Sequence, residues 1–362
     1  MQNRTFALLL LGLTCGVLFI NVTVYKFGFF WRGHQFFSVF NRISHTSLRD
    51  DSLQAVISPS VSCSGRDVEL VICVPVKRDN SAKRVVIRQT WGSYGKYGGR
   101  YGVTPPTNTS SSFNNVPTKL GEIILVFFTG SPLSQSVDEE QTRLNEEAKT
   151  YGDIFQDTYI DTYENLTLKS ISIIKWISKK CPNARYVVKV DDDMYLNIPL
   201  LITSLWTHAD NVYSKRSHAS NNTSTETYPP PFLVGYKNDG AKVIRNKKSK
   251  WYTSREAYAD DTYPSYLSGT AYAMSGSAAL KLYQTSLRVP LFWMEDIYIT
   301  GLCAKVAQIP IIADFRFSFT KEPPHGCDFR KLISGHRYTV TQIKRIYKEL
   351  NDPLLKCPSK RK

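Results

Sequence analysis

The sequence lacks the short motifs that mark the common hydrolases and phosphate-binding folds. It has no G-x-S-x-G elbow, no H-E-x-x-H helix and no Walker loop, and no Lys-Ser/Thr pair follows the glycines of residues 92–99. These absences argue against a serine hydrolase, a zinc protease and a P-loop NTPase. No C-x-x-C pair or Cys/His cluster with zinc spacing occurs either, so a structural zinc site is not expected.

Acidic residues are outnumbered, with 31 Asp and Glu against 46 Lys and Arg and a net charge of +15. Such an excess favours an anionic ligand, although a solvated basic surface gives the same count. The basic residues are dispersed, and no helix-turn-helix or zinc-finger spacing is present, so we predict no nucleic-acid partner. The chain has 362 residues and 42% hydrophobic content, enough for one large or two small packed domains.

Charged residues are absent from residues 5–25, which at about 1.5 Å per residue match a ~30 Å hydrocarbon core. No clear cleavage site follows, so we predict a signal-anchor transmembrane helix rather than a cleaved signal peptide. Residues 1–4 would form a cytoplasmic tail, with single-pass type II topology. Residues 26–65 would be a stem, residues 66–357 a lumenal domain and residues 358–362 a basic tail.

Cysteine usage agrees with an oxidising compartment, because an even number of cysteines follows the predicted anchor. These are Cys63, Cys73, Cys181, Cys303, Cys327 and Cys357. Their pairing cannot be read from the sequence. Sequons at Asn108, Asn165, Asn221 and Asn222 would accept glycans if they are exposed in that compartment.

Hydrophobic periodicity predicts strands that alternate with helices. The predicted strands are 68–74, 123–128 and 186–190, and the predicted helices are 81–91, 136–150 and 166–180. The last helix places Ile171, Ile174 and Ile177 on one face, and residues 92–115 form a long loop. The alternation indicates an α/β sheet whose ligands bind beyond the carboxyl ends of the strands.

Three consecutive aspartates, Asp191, Asp192 and Asp193, follow the predicted strand 186–190. Adjacent carboxylates repel and raise one another's pKa, so the cluster needs a cation or basic groups to neutralise it. A hard ion such as Mn²⁺ or Mg²⁺ prefers oxygen ligands and often shares them with substrate phosphates. A solvated acidic turn or a helix cap is the alternative. An EF-hand is excluded, because its required glycine is missing.

Six ordered blocks carry a resemblance that extends over roughly residues 68–357. They are RVVIRQTWG, DTYENLTLKS, VVKVDDDMYLN, YPSYLSGTAYAMS, MEDIYITGLCA and LISGHRYTV. Together they resemble the β-1,3-galactosyltransferase family, including its related N-acetylglucosaminyltransferases. The resemblance implies a GT-A-type nucleotide-sugar-binding mixed sheet flanked by helices, after one N-terminal Golgi membrane anchor. It also implies an inverting enzyme that uses Mn²⁺ (or Mg²⁺), a UDP-sugar donor and a glycan acceptor on glycoprotein or glycolipid.

The resemblance assigns metal and nucleotide ligands to the acidic block. Asp193 is implied as the direct metal ligand, and Asp191 as a ligand of the ribose, the metal or a metal-bound water. Asp192 is implied in nucleotide-sugar binding less firmly. His336 would complete the coordination shell, and His325 is the competing histidine.

Asp296 corresponds to the catalytic carboxylate of the family and would accept the proton of the acceptor's 3-hydroxyl during inversion. Glu295 would contact the acceptor, aid positioning or cap the following helix, which is expected to run to Ala307. A helix N-cap is the alternative reading of both acids, because the helix dipole favours anions there.

Aromatic side chains suit the apolar faces of an acceptor sugar, and Tyr263, Tyr266, Tyr272 and Trp293 are the candidates. Most of the tyrosines are expected to be structural. Tyr266 and Trp293 are the two aromatic residues predicted to bind the acceptor. Gly269 would let the backbone approach the donor closely.

Arg84, Arg88 and Lys169 are candidates for binding the nucleotide sugar. Arg88 could instead pair with a carboxylate to lock its helix, and Lys169 could face solvent. The blocks are most similar to those of galactosyltransferases, so the resemblance implies galactose as the donor sugar, with N-acetylglucosamine as the alternative. Thr270 stands where many relatives carry a glycine, and this departure either narrows the donor pocket or has no effect. A glycoside hydrolase and a non-catalytic sugar-binding membrane protein are the alternatives from other classes.

Overall fold

The computed structural model describes residues 53–95, 120–133, 139–219 and 229–357. Within these ranges no helix is both long and apolar enough to cross a membrane. The predicted anchor at 5–25 and the two predicted tails lie outside the described residues. So do the sequons at Asn108, Asn221 and Asn222.

An eight-stranded mixed sheet forms the centre of the described body, in the order β1-β4-β3-β2-β5-β8-β7-β9. Strands β2 to β5 run parallel, β8 is antiparallel to β5 and to β7, β9 is parallel to β7, and β1 is antiparallel to β4. Their bounds are β1 Ala55–Ile57, β2 Val68–Pro75, β3 Glu122–Ser131, β4 Ile154–Ile160, β5 Tyr186–Val190, β7 Leu233–Asn238, β8 Tyr266–Ser275 and β9 Ile311–Ala313. A separate two-stranded sheet pairs β6, Tyr195–Leu196, with β10, Ser334–Gly335.

Helices cover both faces of the sheet and bury two hydrophobic cores. The longer ones are α1 Ser81–Gln89, α2 Glu139–Tyr151, α3 Leu166–Lys180, α4 Ile198–Ala219 and α5 Gly276–Ser286. A π-helical segment Ile297–Cys303 continues into α6 Ala304–Val306, and α7 Gly326–Phe329 and α8 Val340–Leu350 follow. In β2, Val71 and Cys73 join one core while Leu70, Ile72 and Val74 join the other, as strand alternation requires. The predicted α/β sheet flanked by helices is confirmed.

Two predicted elements have the observed bounds, α3 and β5. In α3 the three isoleucines of the predicted apolar face, Ile171, Ile174 and Ile177, are all fully buried in one core. Helix α1 is shorter than predicted. It ends at Gln89 and is followed by a 3-10 helix at Trp91–Gly95.

Several elements were not predicted, among them β1, β4 and α4. Strand β4 carries buried polar residues, which hide its hydrophobic pattern: Gln156 bonds the Gly130 carbonyl and Asp157 bonds the Ser172 hydroxyl. Strand β1 pairs with β4, so the ordered body begins before the predicted boundary at residue 65. The expected helix from residues 295–296 to Ala307 begins as π-helix.

Two disulfides join distant segments. Cys63–Cys181 ties the chain before β2 to the end of α3, and Cys327–Cys357 ties α7 to the segment after α8. Cys73 and Cys303 are buried free thiols. The expectation of disulfides is therefore met by four of the six cysteines.

Candidate active site

The aspartates 191–193 form a turn at the carboxyl end of β5, held by backbone bonds on two sides. The Asp191 N–H donates to the Thr270 carbonyl at 2.9 Å, which joins the turn to β8. The Tyr338 N–H donates to the Asp193 carbonyl at 2.8 Å, which joins it to the segment after β10. The turn is fixed between two elements that are remote in sequence, and it is not a free acidic loop.

Asp191, Asp193 and His336 form a group that could hold a metal ion, with ligand atoms all within 4.8 Å of one another. Oxygen and nitrogen atoms this close together can converge on one divalent cation. His336 Nε2 lies 3.3 Å from Asp193 Oδ1. These are the three residues that the sequence resemblance implied as metal ligands.

The His336 ring is oriented by its second nitrogen. Nδ1 lies 3.3 Å from the Phe319 carbonyl, which can only accept, so Nδ1 carries a hydrogen. Nε2 then faces the Asp193 carboxylate and is the ring nitrogen available to a cation. The donor chemistry of the group therefore fits a divalent cation.

Asp192 points away from this group. Its Oδ2 accepts from the Asn80 side-chain amide at 2.7 Å, at the start of α1. Burial raises the pKa of Asp192 to about 6, and its two aspartate neighbours add to the shift against the opposing Lys83. Asp192 is thus a bridge to α1 and does not line the cavity described below.

Lys189 is a buried cation that the sequence prediction missed. Its Nζ donates to Asp191 Oδ1 at 2.6 Å and to the Gly269 carbonyl, and lies 3.7 Å from Glu295 Oε2. Burial alone would lower the pKa of Lys189, but Asp191 and Glu295 outweigh it and the pKa lies above its ordinary value. Lys189 therefore links the acidic turn to the two acids before the π-helix. A charged residue inside an otherwise apolar strand, YVVKV, was the available signal.

The Asp296 carboxylate is held by two backbone donors. Oδ1 accepts from the Ile297 N–H at 2.9 Å and Oδ2 from the Gly269 N–H at 3.2 Å. Burial raises the pKa of Asp296 to about 6, and the neighbouring Glu295 carboxylate adds to the shift. A carboxylate with this pKa is ionised at neutral pH and is a stronger base than an exposed aspartate.

Glu295 is buried next to Asp296, and protein hydroxyl groups occupy one of its carboxylate oxygens. Its Oε1 accepts from the Tyr272 hydroxyl at 2.6 Å and from the Ser170 hydroxyl at 2.8 Å. Gly269 explains how β8 comes so close, because a Cβ there would lie 3.1 Å from the Asp296 Cβ and 3.2 Å from Glu295 Oε2. Asp296 therefore caps the π-helix, whereas Glu295 supports it from below.

One cavity of about 610 Å³ joins the acidic turn to Asp296. Its lining includes seven of the predicted site residues: Asp191, Gly269, Tyr266, Trp293, Glu295, Asp296 and His336. The volume lies in the range of small-ligand sites. Asp191 and His336 of the metal-type group thus open into the same space as the raised-pKa carboxylate of Asp296, whereas Asp193 does not line the cavity.

The galactosyltransferase family model matches residues 82–314, more than half of the sequence. The chain belongs to the galactosyltransferase family. The family resemblance read from the sequence blocks is thereby confirmed.

Individual relatives support the same membership across most of the chain. The human "lactosylceramide 1,3-N-acetyl-beta-D-glucosaminyltransferase" is 28% identical over 93% of this chain and 80% of that protein. The mouse "beta-1,3-galactosyltransferase 1" is 26% identical over 86% of this chain and 83% of that protein. The mouse "beta-1,3-galactosyltransferase 2" is 28% identical over 82% and 61%, respectively.

Arg84 and Arg88 do not line the cavity. Arg84 donates to both carboxylate oxygens of Glu147, and Arg88 donates to Glu147 and to both oxygens of Asp153. These carboxylates come from α2 and the turn before β4, so the arginines fasten α1 to its neighbours. Their predicted role in nucleotide binding is corrected to the structural alternative.

Lys169 is also engaged elsewhere, although not at the surface. It is 3% exposed, and its Nζ bonds Asp161 Oδ1 at 2.6 Å and the Val76 carbonyl at 3.2 Å. Both the donor-binding role and the solvent-facing alternative are corrected. The lysine stabilises the carboxyl ends of β2 and β4.

The aromatic candidates divide into two groups. Tyr266 and Trp293 line the cavity and are half-buried. Tyr263 also reaches the lining but is buried, and its hydroxyl donates to Thr253 Oγ1 at 2.9 Å. Tyr272 is buried with its hydroxyl on Glu295, so its proposed contact with a sugar face is corrected.

The competing histidine, His325, lies away from the acidic turn. Its Nδ1 is 2.8 Å from the Arg345 guanidinium and 3.6 Å from Glu349 on α8.

Lys250 belongs to a basic cluster, with Arg245, Lys247 and Lys248, that the sequence indicates is either a variable acceptor-side loop or a solvated surface. Arg337, Trp251 and Tyr163 were not predicted as site residues, and all three line the cavity together with Lys250. The four residues lie outside helices and strands, where no periodic pattern marks a ligand-facing side chain.

Proposed function

We propose that this chain is an inverting, metal-dependent β-1,3-glycosyltransferase that moves a hexose from a UDP-sugar to the 3-hydroxyl of an acceptor glycan. Galactose is the first candidate donor sugar. The observation that carries the proposal is the shared cavity, which has the Asp191 and His336 group and the Asp296 carboxylate in its walls. Membership of the galactosyltransferase family and the printed names of its relatives support the linkage.

Asp296 acts as the general base in this proposal. Its carboxylate is kept in one orientation by the Ile297 and Gly269 N–H groups, which leave lone pairs free toward the cavity. The carboxylate accepts the proton of the acceptor's 3-hydroxyl while that oxygen attacks the anomeric carbon. Attack from the face opposite UDP converts an α-linked donor into a β-linked product.

Asp191, Asp193 and His336 would hold the divalent cation, with Mn²⁺ or Mg²⁺ as the candidates. A cation bound there offsets the negative charge that develops on the leaving diphosphate. The fixed turn and the oriented His336 ring keep these ligands in place before the donor binds. The arrangement is that of a GT-A-type donor site.

Arg337 takes the place of the arginines predicted to bind the diphosphate. It is exposed, lines the cavity beside His336 and forms no ion pair with any described residue. Its φ of +66° lies in the left-handed region, which costs a non-glycine residue about 1 kcal/mol or more. Strained backbone of this kind is frequent at ligand sites, and here it holds a guanidinium next to the metal ligands.

Lys189 fixes the distance between the acidic turn, which would bind the donor, and the Glu295–Asp296 pair, which would meet the acceptor. Its ammonium bonds Asp191 on one side and approaches Glu295 on the other, while Glu295 neighbours Asp296. It is a positioning residue, since its side chain is 5% exposed and its ammonium group is engaged by Asp191, the Gly269 carbonyl and Glu295.

N-acetylglucosamine is the second candidate donor sugar, because the human relative named for its transfer matches 93% of this chain. Thr270 lines the cavity and lies beside Ser268, with 3.2 Å between the two hydroxyls. Its side chain narrows the space that a glycine would leave.

We further propose a Golgi location, with the domain in the lumen and residues 5–25 as the anchor.

The direct test is a donor screen on the full-length protein with Mn²⁺, UDP-galactose, UDP-N-acetylglucosamine and a panel of neutral and acidic acceptors. We expect metal-dependent UDP release that requires an acceptor, with galactose as the faster donor. If no UDP-sugar is consumed with any acceptor, the chain is not an active transferase, and the alternative of a sugar-binding protein gains support.

A further inference from the structure

The connection between β7 and β8, residues 239–262, is a basic loop that one arginine fixes in place; we call it the basic flap. The Arg245 guanidinium donates to the carbonyls of Thr253, Ser254, Tyr258 and Asp260 at 2.7–3.0 Å. Four backbone acceptors on one planar cation specify a single loop conformation. The flap is therefore an ordered wall of the cavity rather than a solvated surface strand.

Lys250 lies at the cavity end of the flap between two aromatic rings. Its Nζ is 4.4 Å from the centroid of the Trp251 ring and 5.9 Å from that of the Tyr163 ring. The rings are 46% and 49% exposed, and all three side chains line the cavity. Exposed aromatic faces stack on sugar rings, and an ammonium can donate several hydrogen bonds to an anion.

The cations that face the cavity from the flap lack carboxylate partners. Neither Lys242 nor Lys250 forms an ion pair within the part of the chain that the structure describes. Nearby acids are engaged elsewhere, since Asp239 pairs with Lys237 and Asp261 with Arg255. The flap thus presents two ammonium groups to the cavity that no ion pair with a described residue occupies.

This group lies on the acceptor side of the site. The flap packs on Phe292 through Tyr258, with 5.8 Å between ring centroids. Tyr163 precedes α3, whose Thr167 hydroxyl donates to the Phe292 carbonyl at 2.8 Å. Phe292 leads into Trp293 and Asp296, whereas Arg337 follows His336 at the metal group. Lys250 is therefore placed to meet the acceptor, and Arg337 to meet the diphosphate.

We propose that Lys250, Trp251 and Tyr163 form an acceptor subsite that selects glycans carrying a carboxylate or sulfate group. The aromatic faces hold a sugar ring next to the one that is glycosylated, and Lys250 binds the anionic group of that ring. Lys242 adds positive charge along the same wall. The inference rests on the proposed transferase function and names the acceptor class that it uses.

The test compares kcat/KM of the full-length protein for matched acceptors. One pair differs by a uronate carboxylate and a second pair by a sulfate ester, each on the sugar adjacent to the acceptor sugar. We expect the anionic member of at least one pair to be preferred about fivefold or more, the scale of one partly exposed ion pair. The preference should shrink as salt is added.

Substitutions distinguish a specific effect of Lys250 from an effect of the overall positive charge of the flap. Lys250→Ala should bring the anionic-to-neutral ratio close to one, and Lys250→Arg should retain the preference. Lys247→Ala is the matched control, because Lys247 lies on the same flap but does not line the cavity, and it should keep the wild-type ratio.

The outcomes distinguish the subsite from the transferase itself. Transfer to neutral acceptors with no anionic preference overturns the subsite and leaves the proposed function standing. A preference that survives Lys250→Ala overturns the assignment to Lys250. Absence of transfer to any acceptor overturns the proposed function, and the subsite falls with it.

Discussion

Replacing Asp296 by asparagine keeps the shape of the side chain and removes its basicity. The amide oxygen can still accept one of the two backbone bonds, from Ile297 or from Gly269, but the NH₂ group cannot accept the other. Loss of a positioned general base typically slows a reaction by about 10²- to 10⁴-fold. We expect the transfer rate to fall in that range while donor binding persists, because the metal-type group is untouched.

The free energy of unfolding of the same variant should rise, although its transfer rate falls. The Asp296 pKa is raised from 3.8 to about 6, so the folded state binds the proton more tightly than the unfolded state. Ionisation above pH 6 therefore costs stability, and two units at ~1.36 kcal/mol each come to ~3 kcal/mol. The variant avoids that cost, but the one backbone N–H that the amide cannot accept destabilises it by about 1 kcal/mol. Asp296→Asn should be at least as stable as the wild type at pH 7.5, by up to ~2 kcal/mol.

Three measurements check this prediction: transfer rate, UDP-sugar affinity by calorimetry, and the free energy of unfolding. The wild-type rate should also fall as pH drops below about 6, as Asp296 becomes protonated, and the residual rate of the variant should lack that limb. A variant that transfers at near wild-type rate would refute Asp296 as the base. One that loses rate only because it unfolds would refute the stability argument.

Asp193→Ala should weaken Mn²⁺-dependent UDP binding about tenfold or more in calorimetry, whereas exposed Asp260→Ala should not. Arg88→Ala should lower the free energy of unfolding by about 3 kcal/mol in denaturant titrations, because it leaves the largely buried Asp153 carboxylate without its arginine, while Glu147 keeps Arg84. An unchanged stability with a raised donor KM would instead restore the nucleotide-binding role. Arg337→Ala should raise the KM for the UDP-sugar about tenfold, the worth of a charge-assisted bond, with Lys331→Ala as the exposed control; an unaffected KM would place the diphosphate elsewhere.

Local patterns were sufficient for the elements whose burial follows a simple period. Helix α3 and strand β5 have the predicted bounds because their apolar residues repeat at helical and strand spacing and face one core. The acidic turn followed from its place after a strand. Its partner His336, 143 positions after Asp193, came only from the ordered blocks of the family.

The roles of Arg84, Arg88 and Lys169 could not be predicted from local patterns, because their carboxylate partners are brought near only by the fold. Arg84 and Arg88 share a helical face, which is visible in the sequence, but Glu147 and Asp153 approach that face only through the sheet order. Lys169 was expected at the surface or on a nucleotide, and it is buried because Asp161 neutralises it. Strand β4 was missed for a related reason, since its buried Gln156 and Asp157 interrupt the apolar pattern while their partners lie elsewhere in the chain.

The central claim is that one cavity combines a metal-bound donor with Asp296 as the base of an inverting transfer. The most direct measurement is the NMR structure of the product that the full-length protein forms from UDP-galactose, Mn²⁺ and an acceptor glycan. The account predicts a new β-linked hexose on the acceptor's 3-oxygen, and no product once the metal is chelated. An α-linked product, or transfer that is indifferent to chelation, would contradict it.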